Sequence, residues 1–203
     1  MLTYSINLKE RINVIGILGI LSIAIILIIK NYVDIPHWVP VPSVFAIFAS
    51  FFLLFDKYCW KWGILNGAVI QTPNLNGKWR ILMRSSRDNY AEEYEGILTI
   101  TQTWTKIYLF LDGEKAIGKS TMASIEIHTS QSFTLKWEYL AERKPQYAIN
   151  EYMHYGMTKV FFEKGASEFK GNYYADQSRH SFGPVTLIKV NPINKKDLVS
   201  LRE

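Results

Sequence analysis

Among the side chains of types that hold a small molecule, six are candidates for a site: Gln102, Trp104, Trp137, Tyr139, Tyr173 and Arg179. Indole and phenol rings offer flat faces for stacking, an amide offers directed donors and acceptors, and a guanidinium offers an anion a planar fork of donors. None of them comes with a recognisable catalytic partner. The sequence contains no glycine-rich phosphate loop, H-E-x-x-H, C-x-x-C or G-x-S-x-G motif. His37, His128, His154 and His180 are too dispersed to read as a metal set. Asp176, Ser178 and His180 stand at i, i+2 and i+4 of one loop, a spacing that seldom converges on a hydrolytic trio. The expectation is a binding protein and not an enzyme, with no cofactor and no metal.

Strands are the elements that must position these residues. From Gly77 onward, period-two strings alternate with turn residues at regular intervals, the pattern of an all-β domain. Eight strands are predicted, over 77–86, 94–103, 104–112, 120–129, 132–141, 157–163, 167–175 and 184–191. Asp112-Gly113, Gln131 and Lys164-Gly165 mark tight turns, so successive strands should be antiparallel neighbours. Only Glu142 to Gly156 is long enough for an irregular excursion. An open meander would leave two unpaired edges, and closure removes them. The expected fold is therefore an eight-stranded antiparallel up-and-down barrel, whose interior is either filled by side chains or holds one small ligand. Gly77-Lys78-Trp79 resembles the G-x-W opening of lipocalin-like barrels, in which the tryptophan plugs one end.

Strand parity then sorts the candidates. Tyr94, Gly96, Leu98, Ile100 and Gln102 share a face, as do Leu135, Trp137 and Tyr139, and Gly171 and Tyr173; their apolar content turns these faces inward. Arg179 lies in the turn 176–181, from which its guanidinium could swing over a barrel mouth. A plainer reading stands beside each assignment. The aromatics, Trp79 and Trp104 included, could simply fill a small core, and Arg179 could pair with Asp176. Arg80, Arg84 and Lys106 are weaker candidates, the first two being opposite Trp79 in parity and so outside.

Ahead of this domain the solvent changes. Ile12 to Ile29 is an 18-residue run whose only polar members are Asn13 and Ser22. At 1.5 Å per residue it covers about 27 Å, enough to span a hydrocarbon core. A second uncharged run, Trp38 to Phe55, is equally long, with Pro40 and Pro42 in its first turns where missing amide donors cost least. Residues 1–62 thus read as a two-helix transmembrane hairpin, 63–76 as a linker rich in Asn, Gly and Pro, and 77–203 as the barrel. Lys9, Arg11, Lys57, Lys61, Lys78 and Arg80 flank the runs on one side, so both termini are expected in the cytoplasm. Asn13, Gly16, Gly19 and Ser22 form a small-residue stripe suited to packing against the second helix or to self-association.

Charge excludes one class of partner. The formal net charge of +5 divides into 5 basic and 3 acidic residues before Gly63 and 18 basic and 15 acidic after it, too dilute on either side for a DNA-binding surface. The mild excess favours a small anionic ligand or an anionic leaflet. The single cysteine, Cys59, can form no internal disulfide, which fits a reducing compartment.

The layout as a whole resembles a known family. Tyr94-x-Gly96-x-Leu98-x-Ile100-x-Gln102-x-Trp104, Leu135-x-Trp137-x-Tyr139, His154-x-Gly156 and Gly171-x-Tyr173, followed by Arg179, Gly183 and Leu187, stand in order behind a membrane hairpin. This is similar to the two-transmembrane, β-barrel effectors of bacterial cyclic-oligonucleotide antiphage signalling systems (CBASS). The resemblance implies an inner-membrane protein whose barrel binds a cyclic dinucleotide, with binding driving homo-oligomerisation and membrane disruption. Such a ligand presents two base faces for stacking and two phosphodiesters for arginine, and the six residues named above are the ones that chemistry would select. The alternative left by the G-x-W opening is a membrane-tethered, lipocalin-like carrier or sensor of an apolar small molecule.

Overall fold

The computed structural model describes residues 2–4, 7–32, 43–65, 67, 69–147, 153–177 and 179–190. Two compact units divide the chain. One comprises residues 1–5, 74–102 and 106–203, the other residues 6–73 and 103–105.

The first unit is a barrel. A two-residue strand β1 (Leu2–Thr3) precedes β2 (Gly77–Arg84), β3 (Glu93–Gln102), β4 (Lys106–Gly113), β5 (Ala116–Ile127), β6 (Ser132–Arg143), β7 (Met153–Glu163), β8 (Glu168–Ala175) and β9 (Phe182–Lys189). Each strand from β2 pairs antiparallel with the next, and β9 pairs back onto β2, with Ile81 opposite Leu187. All eight expected strands are present in a closed up-and-down ring. Strand β1 pairs with β4, Leu2 opposite Ile107, on the edge of β4 that β5 takes up further along at Phe110–Asp112. The excursion predicted between Glu142 and Gly156 is shorter than expected, because β6 runs on to Arg143 and β7 starts at Met153.

One end of the barrel is solid. Trp79 packs edge-on against Phe162 and Phe169, with ring centroids 5.7 and 5.9 Å away, and Phe162 stacks on Phe133 and Phe169 at 4.7 and 4.5 Å. The Trp79 indole N–H donates to the Leu75 carbonyl at 2.9 Å, which satisfies the one polar group this plug buries. Ile81, Leu98, Ile100, Leu109, Leu135, Val160 and Leu187 continue the core above it, each 2 % exposed or less.

The second unit is helical. Helix α1 (Leu8–Tyr32) begins at Asn7, whose side-chain oxygen accepts the Lys9 N–H at 3.0 Å, and it carries Lys30 in its last turn. This helix is long and apolar enough to cross a membrane. Helix α2 (Val44–Lys57) is capped by Ser43, which accepts from Ala46 N at 3.1 Å. It coincides with the C-terminal part of the second predicted span, whose first residues, 38–42, lie outside the described residues. The packed face of α1 is Glu10, Val14, Leu18, Ser22 and Ile26, a stripe at spacing four. It differs from the small-residue stripe read in the sequence: Gly16 and Gly19 face open space, with no atom within 4 Å of an added Cβ, so they do not pack against α2.

A buried carboxylate organises this unit. Glu10, 3 % exposed, accepts from the backbone N–H of Gln71 (2.9 Å) and Thr72 (3.1 Å), the Thr72 hydroxyl (2.9 Å) and the Trp104 indole N–H (2.8 Å). Asp56, in the last turn of α2, accepts from Thr105 N and its hydroxyl, both at 2.7 Å. The segment read as a linker is thereby held at residues 71 and 72. Exposed ion pairs such as Lys119–Glu142 contribute about 0–1 kcal/mol each, whereas every buried donor that loses its acceptor costs about 1–3 kcal/mol. Glu10→Ala should therefore lower the melting temperature of the full chain in detergent by about 5–10 °C, and Lys9→Ala, an exposed neighbour, by about 1 °C or less. A comparable shift in both variants would contradict this account of Glu10.

Candidate ligand-binding site

The barrel half opposite the aromatic plug is hollow. A cavity of about 280 Å³ opens there, walled by Ile81, Met83, Leu98, Leu109, Leu111, Trp137, Tyr139, Thr158 and Tyr173 and rimmed by Arg87, Tyr94, Lys115, Arg143, His154 and Arg179. Small inward residues make the space. Gly118, Ser120 and Ala141 line it directly, and Gly156 clears a neighbour. A Cβ on Gly156 would lie 2.4 Å from Cζ and Oη of Tyr139, the residue opposite it in the β6–β7 ladder. The hydroxyl end of the Tyr139 ring therefore sits against the Gly156 backbone, and the ring forms part of the wall. Close backbone approach also dictates Gly171, whose Cβ would fall 1.9 Å from the Lys159 carbonyl.

A polar constellation surrounds the Tyr139 ring. His154 lies edge-on to it at 6.3 Å, and Nη1 of Arg179 is 3.2 and 3.3 Å from Nδ1 and Nε2 of that imidazole. Arg179 is held by its turn: the N–H groups of Arg179 and His180 donate to the Asp176 carbonyl at 3.1 and 3.0 Å. The Asp176 carboxylate in turn accepts Tyr155 N at 3.0 Å, which ties the turn to β7. His180 has φ +46°, the left-handed backbone that closes this turn. Across the mouth, Lys115 Nζ sits 5.4 Å from the Tyr94 ring centroid, and the Tyr94 hydroxyl donates to Asp88 at 3.0 Å. Arg87, Lys115, Arg143 and Arg179 outnumber the acidic lining residues Glu95 and Glu114, even though Lys115 is paired with Glu92 at 4.0 Å, because Glu95 is engaged with Arg80 outside. The mouth favours an anion.

The structure gathers four of the six sequence candidates at this cavity and sets two elsewhere. Trp137, Tyr139, Tyr173 and Arg179 all line it. Gln102 points inward as parity requires, but it lies at the closed end, where its amide accepts Leu75 N at 2.9 Å and donates to the Tyr4 hydroxyl at 3.0 Å. Trp104 belongs to no strand. It stands in the turn 103–105, inside the helical unit, edge-on to Phe55 at 5.2 Å and hydrogen-bonded to Glu10. Its expected place on a barrel wall fails because Thr103–Thr105 bond to the helical unit instead of to a ladder. Arg80 and Arg84 do face outward, paired with Glu95 and Glu93.

Sequence reasoning missed Arg87, Lys115 and Arg143. Each lies one to three residues beyond a predicted strand end, and continuing the inward parity of Trp137, Tyr139 and Ala141 by two residues reaches Arg143. For Arg143 the lost signal was strand length, since β6 runs two residues past its predicted end; Arg87 and Lys115 stand in turns, which strand parity does not orient.

Fold and cavity together define a class: a small-ligand receptor built on a closed barrel, blind at one end, with aromatic walls and a cationic mouth. Residues 70–189, more than half of the chain, match the family described as "Cap15, cyclic dinucleotide receptor domain". The chain belongs to that family. It is also similar to "CD-NTase-associated protein 15" of Yersinia aleksiciae, at 28 % identity over 170 residues that cover 80 % of this chain and 78 % of the relative. The resemblance to the membrane effectors of CBASS drawn from the sequence motifs is borne out.

Two outcomes follow from the wall. Gly156→Ala should destabilise the barrel by about 1–3 kcal/mol through collision with Tyr139, and the cost should shrink in the double variant Gly156→Ala/Tyr139→Ala. A thermal or chemical unfolding cycle reads this directly, and strict additivity would refute the contact. Burial, then the hydrogen bond to Asp88, pushes the Tyr94 phenol up to about 12, while burial, with the neighbouring Tyr173, holds Tyr139 well above its ordinary value. A raised phenol favours the folded state below its unfolded pKa near 10, and that contribution is lost as pH rises through the folded value. Stability should decline between about pH 10 and pH 12, and an ultraviolet titration should lose its transition near pH 12 in Tyr94→Phe.

Proposed function

We propose that this protein is an antiphage effector whose barrel cavity binds a cyclic dinucleotide, and that binding drives assembly of its membrane segment and disrupts the inner membrane. The observation that carries this reading is the cavity. Trp137, Tyr139 and Tyr173 supply ring faces for bases, and Arg179, Arg143, Arg87 and Lys115 supply donors for phosphodiesters at one opening. An apolar guest, as a lipocalin-like carrier would hold, has no use for four cations at the mouth. The family membership and the relative's printed name point the same way.

The membrane arrangement is read as two spans with both termini cytoplasmic. Support comes from strand β1, which places residues 2 and 3 in the barrel unit by pairing them with β4. A chain that leaves that body after β1, enters α1 and returns to the same body at β2 crosses a bilayer an even number of times. With α1 as one crossing, the second falls in the predicted run 38–55, which contains α2. Lesion formation then requires that the assembled state bind the nucleotide more tightly than the single chain does, since a ligand shifts an equilibrium only by its differential affinity.

Arg179→Ala and Tyr173→Ala should each weaken cyclic dinucleotide binding about tenfold or more while leaving the fold intact, because one charge-assisted hydrogen bond or one stacked base is worth about 1–3 kcal/mol. Calorimetry on the full chain in detergent, with a panel of purine and pyrimidine cyclic dinucleotides and a fatty acid as comparison, decides the matter. Stabilisation by the fatty acid and by none of the nucleotides would establish the carrier reading instead.

A further inference from the structure

The outer wall of the barrel has two different faces. Around β2–β6, outward side chains pair across strands: Arg80 with Glu95, Arg84 with Glu93 at 3.3 Å, Lys119 with Glu142 at 3.3 Å and Lys136 with Glu126 at 2.6 Å. Around β7–β9 the outward positions near the cavity carry Tyr155, Met157, Tyr174 and Phe182, 58, 43, 50 and 51 % exposed. Register sets them side by side. Met157 is opposite Tyr174, Tyr174 is opposite Phe182, and Tyr155 is opposite Leu140 of β6. Directly opposed residues have Cβ atoms about 5 Å apart, so these side chains form one continuous apolar surface across three strands. Exposed aromatic and methionine side chains in one cluster are the composition of an interface core.

We infer that this face of β7–β9 is where two copies of the chain meet; the inference rests on the assembly step of the function proposed above. Three observations select a second copy as the occupant. The barrel ring is closed, so its copies cannot join by adding strands to an open edge, and contact between barrels has to use a side-chain face. With large side chains of about 200 Å² each roughly half exposed, the patch and its polar border approach the area of about 800 Å² that one partner of a standard interface buries. The border carries both signs, exposed Glu138 opposite Met157 on one flank and exposed Lys159 and Lys170 on another. A second copy brings fixed charges of both signs to such a border, whereas an anionic lipid surface answers the lysines and repels Glu138.

The same strands join this face to the ligand. Tyr173 and Thr158 line the cavity, and Gly156 lies beneath the Tyr139 ring; their immediate neighbours Tyr174, Met157 and Tyr155 form the outer row. A ligand that shifts the β7–β8 ladder from inside necessarily displaces the outer row. This is a physical means by which nucleotide and partner can favour the same state.

The experiment uses the full chain in membranes, in a Cys59→Ser background that removes its single cysteine. Met157→Cys and Tyr174→Cys are each compared with Lys78→Cys, on the outer face of β2, by cross-linking with a bifunctional maleimide in the presence and absence of the cyclic dinucleotide panel. The expected result is dimer at least tenfold above the Lys78→Cys level at both patch positions, rising with nucleotide. Phe182→Glu should suppress assembly and leave calorimetric nucleotide affinity unchanged. Equal cross-linking at all three positions, or none at the patch under any condition, overturns the inference. Blocking of both patch cysteines by lipid without any cross-link assigns the face to the membrane and overturns it as well. Patch cross-linking in a chain that binds no cyclic dinucleotide supports the interface and rejects the proposed ligand, so the two failures are separable.

Discussion

Closure of the eight-stranded ring is the constraint from which the site follows. Once β9 pairs with β2, the strand number fixes the interior at a size that ordinary side chains just fill. A cavity in such a barrel has to be made by subtraction. The chain does so unevenly, stacking Trp79, Phe133, Phe162 and Phe169 at one end and placing Gly118, Ser120, Ala141 and Gly156 toward the other. Tyr139 occupies the room that Gly156 leaves, so wall and void come from one cross-strand pair.

Electrostatics follow the same division. Cations at the rim come mostly from strand ends and turns, where long side chains reach water and an incoming anion at once: Arg87 after β2, Lys115 between β4 and β5, Arg143 closing β6 and Arg179 after β8. Two carboxylates of β3 are drawn outward into cross-strand pairs, Glu95 with Arg80 and Glu93 with Arg84. The helical unit reverses this rule with Glu10, an acid retained inside because four donors surround it.

Strand number, order and inward parity were legible in the sequence because period-two patterning and turn residues are local signals. Trp137, Tyr139 and Tyr173 were placed on the wall by parity alone, and Arg179 by its turn. Trp104 was misplaced for a reason that local patterning cannot reveal: its indole N–H answers a carboxylate 94 positions earlier, and that bond removes residues 103–105 from the ladder. Arg143 was missed because β6 runs further than its turn residues suggest, and Arg87 and Lys115 because they stand in turns, where strand parity assigns no side. The helical packing face was missed because Glu10 reads as a surface residue at a helix start until Thr72 and Trp104 are brought to it.

The stacked rings beneath the cavity have a kinetic consequence. With Trp79, Phe162 and Phe169 filling the far end, a guest has one doorway for both arrival and departure. Its residence time is then set at that one mouth, past Arg179 and Lys115, as well as by the depth of the wall contacts. A receptor of this shape can retain a message after its production has ceased.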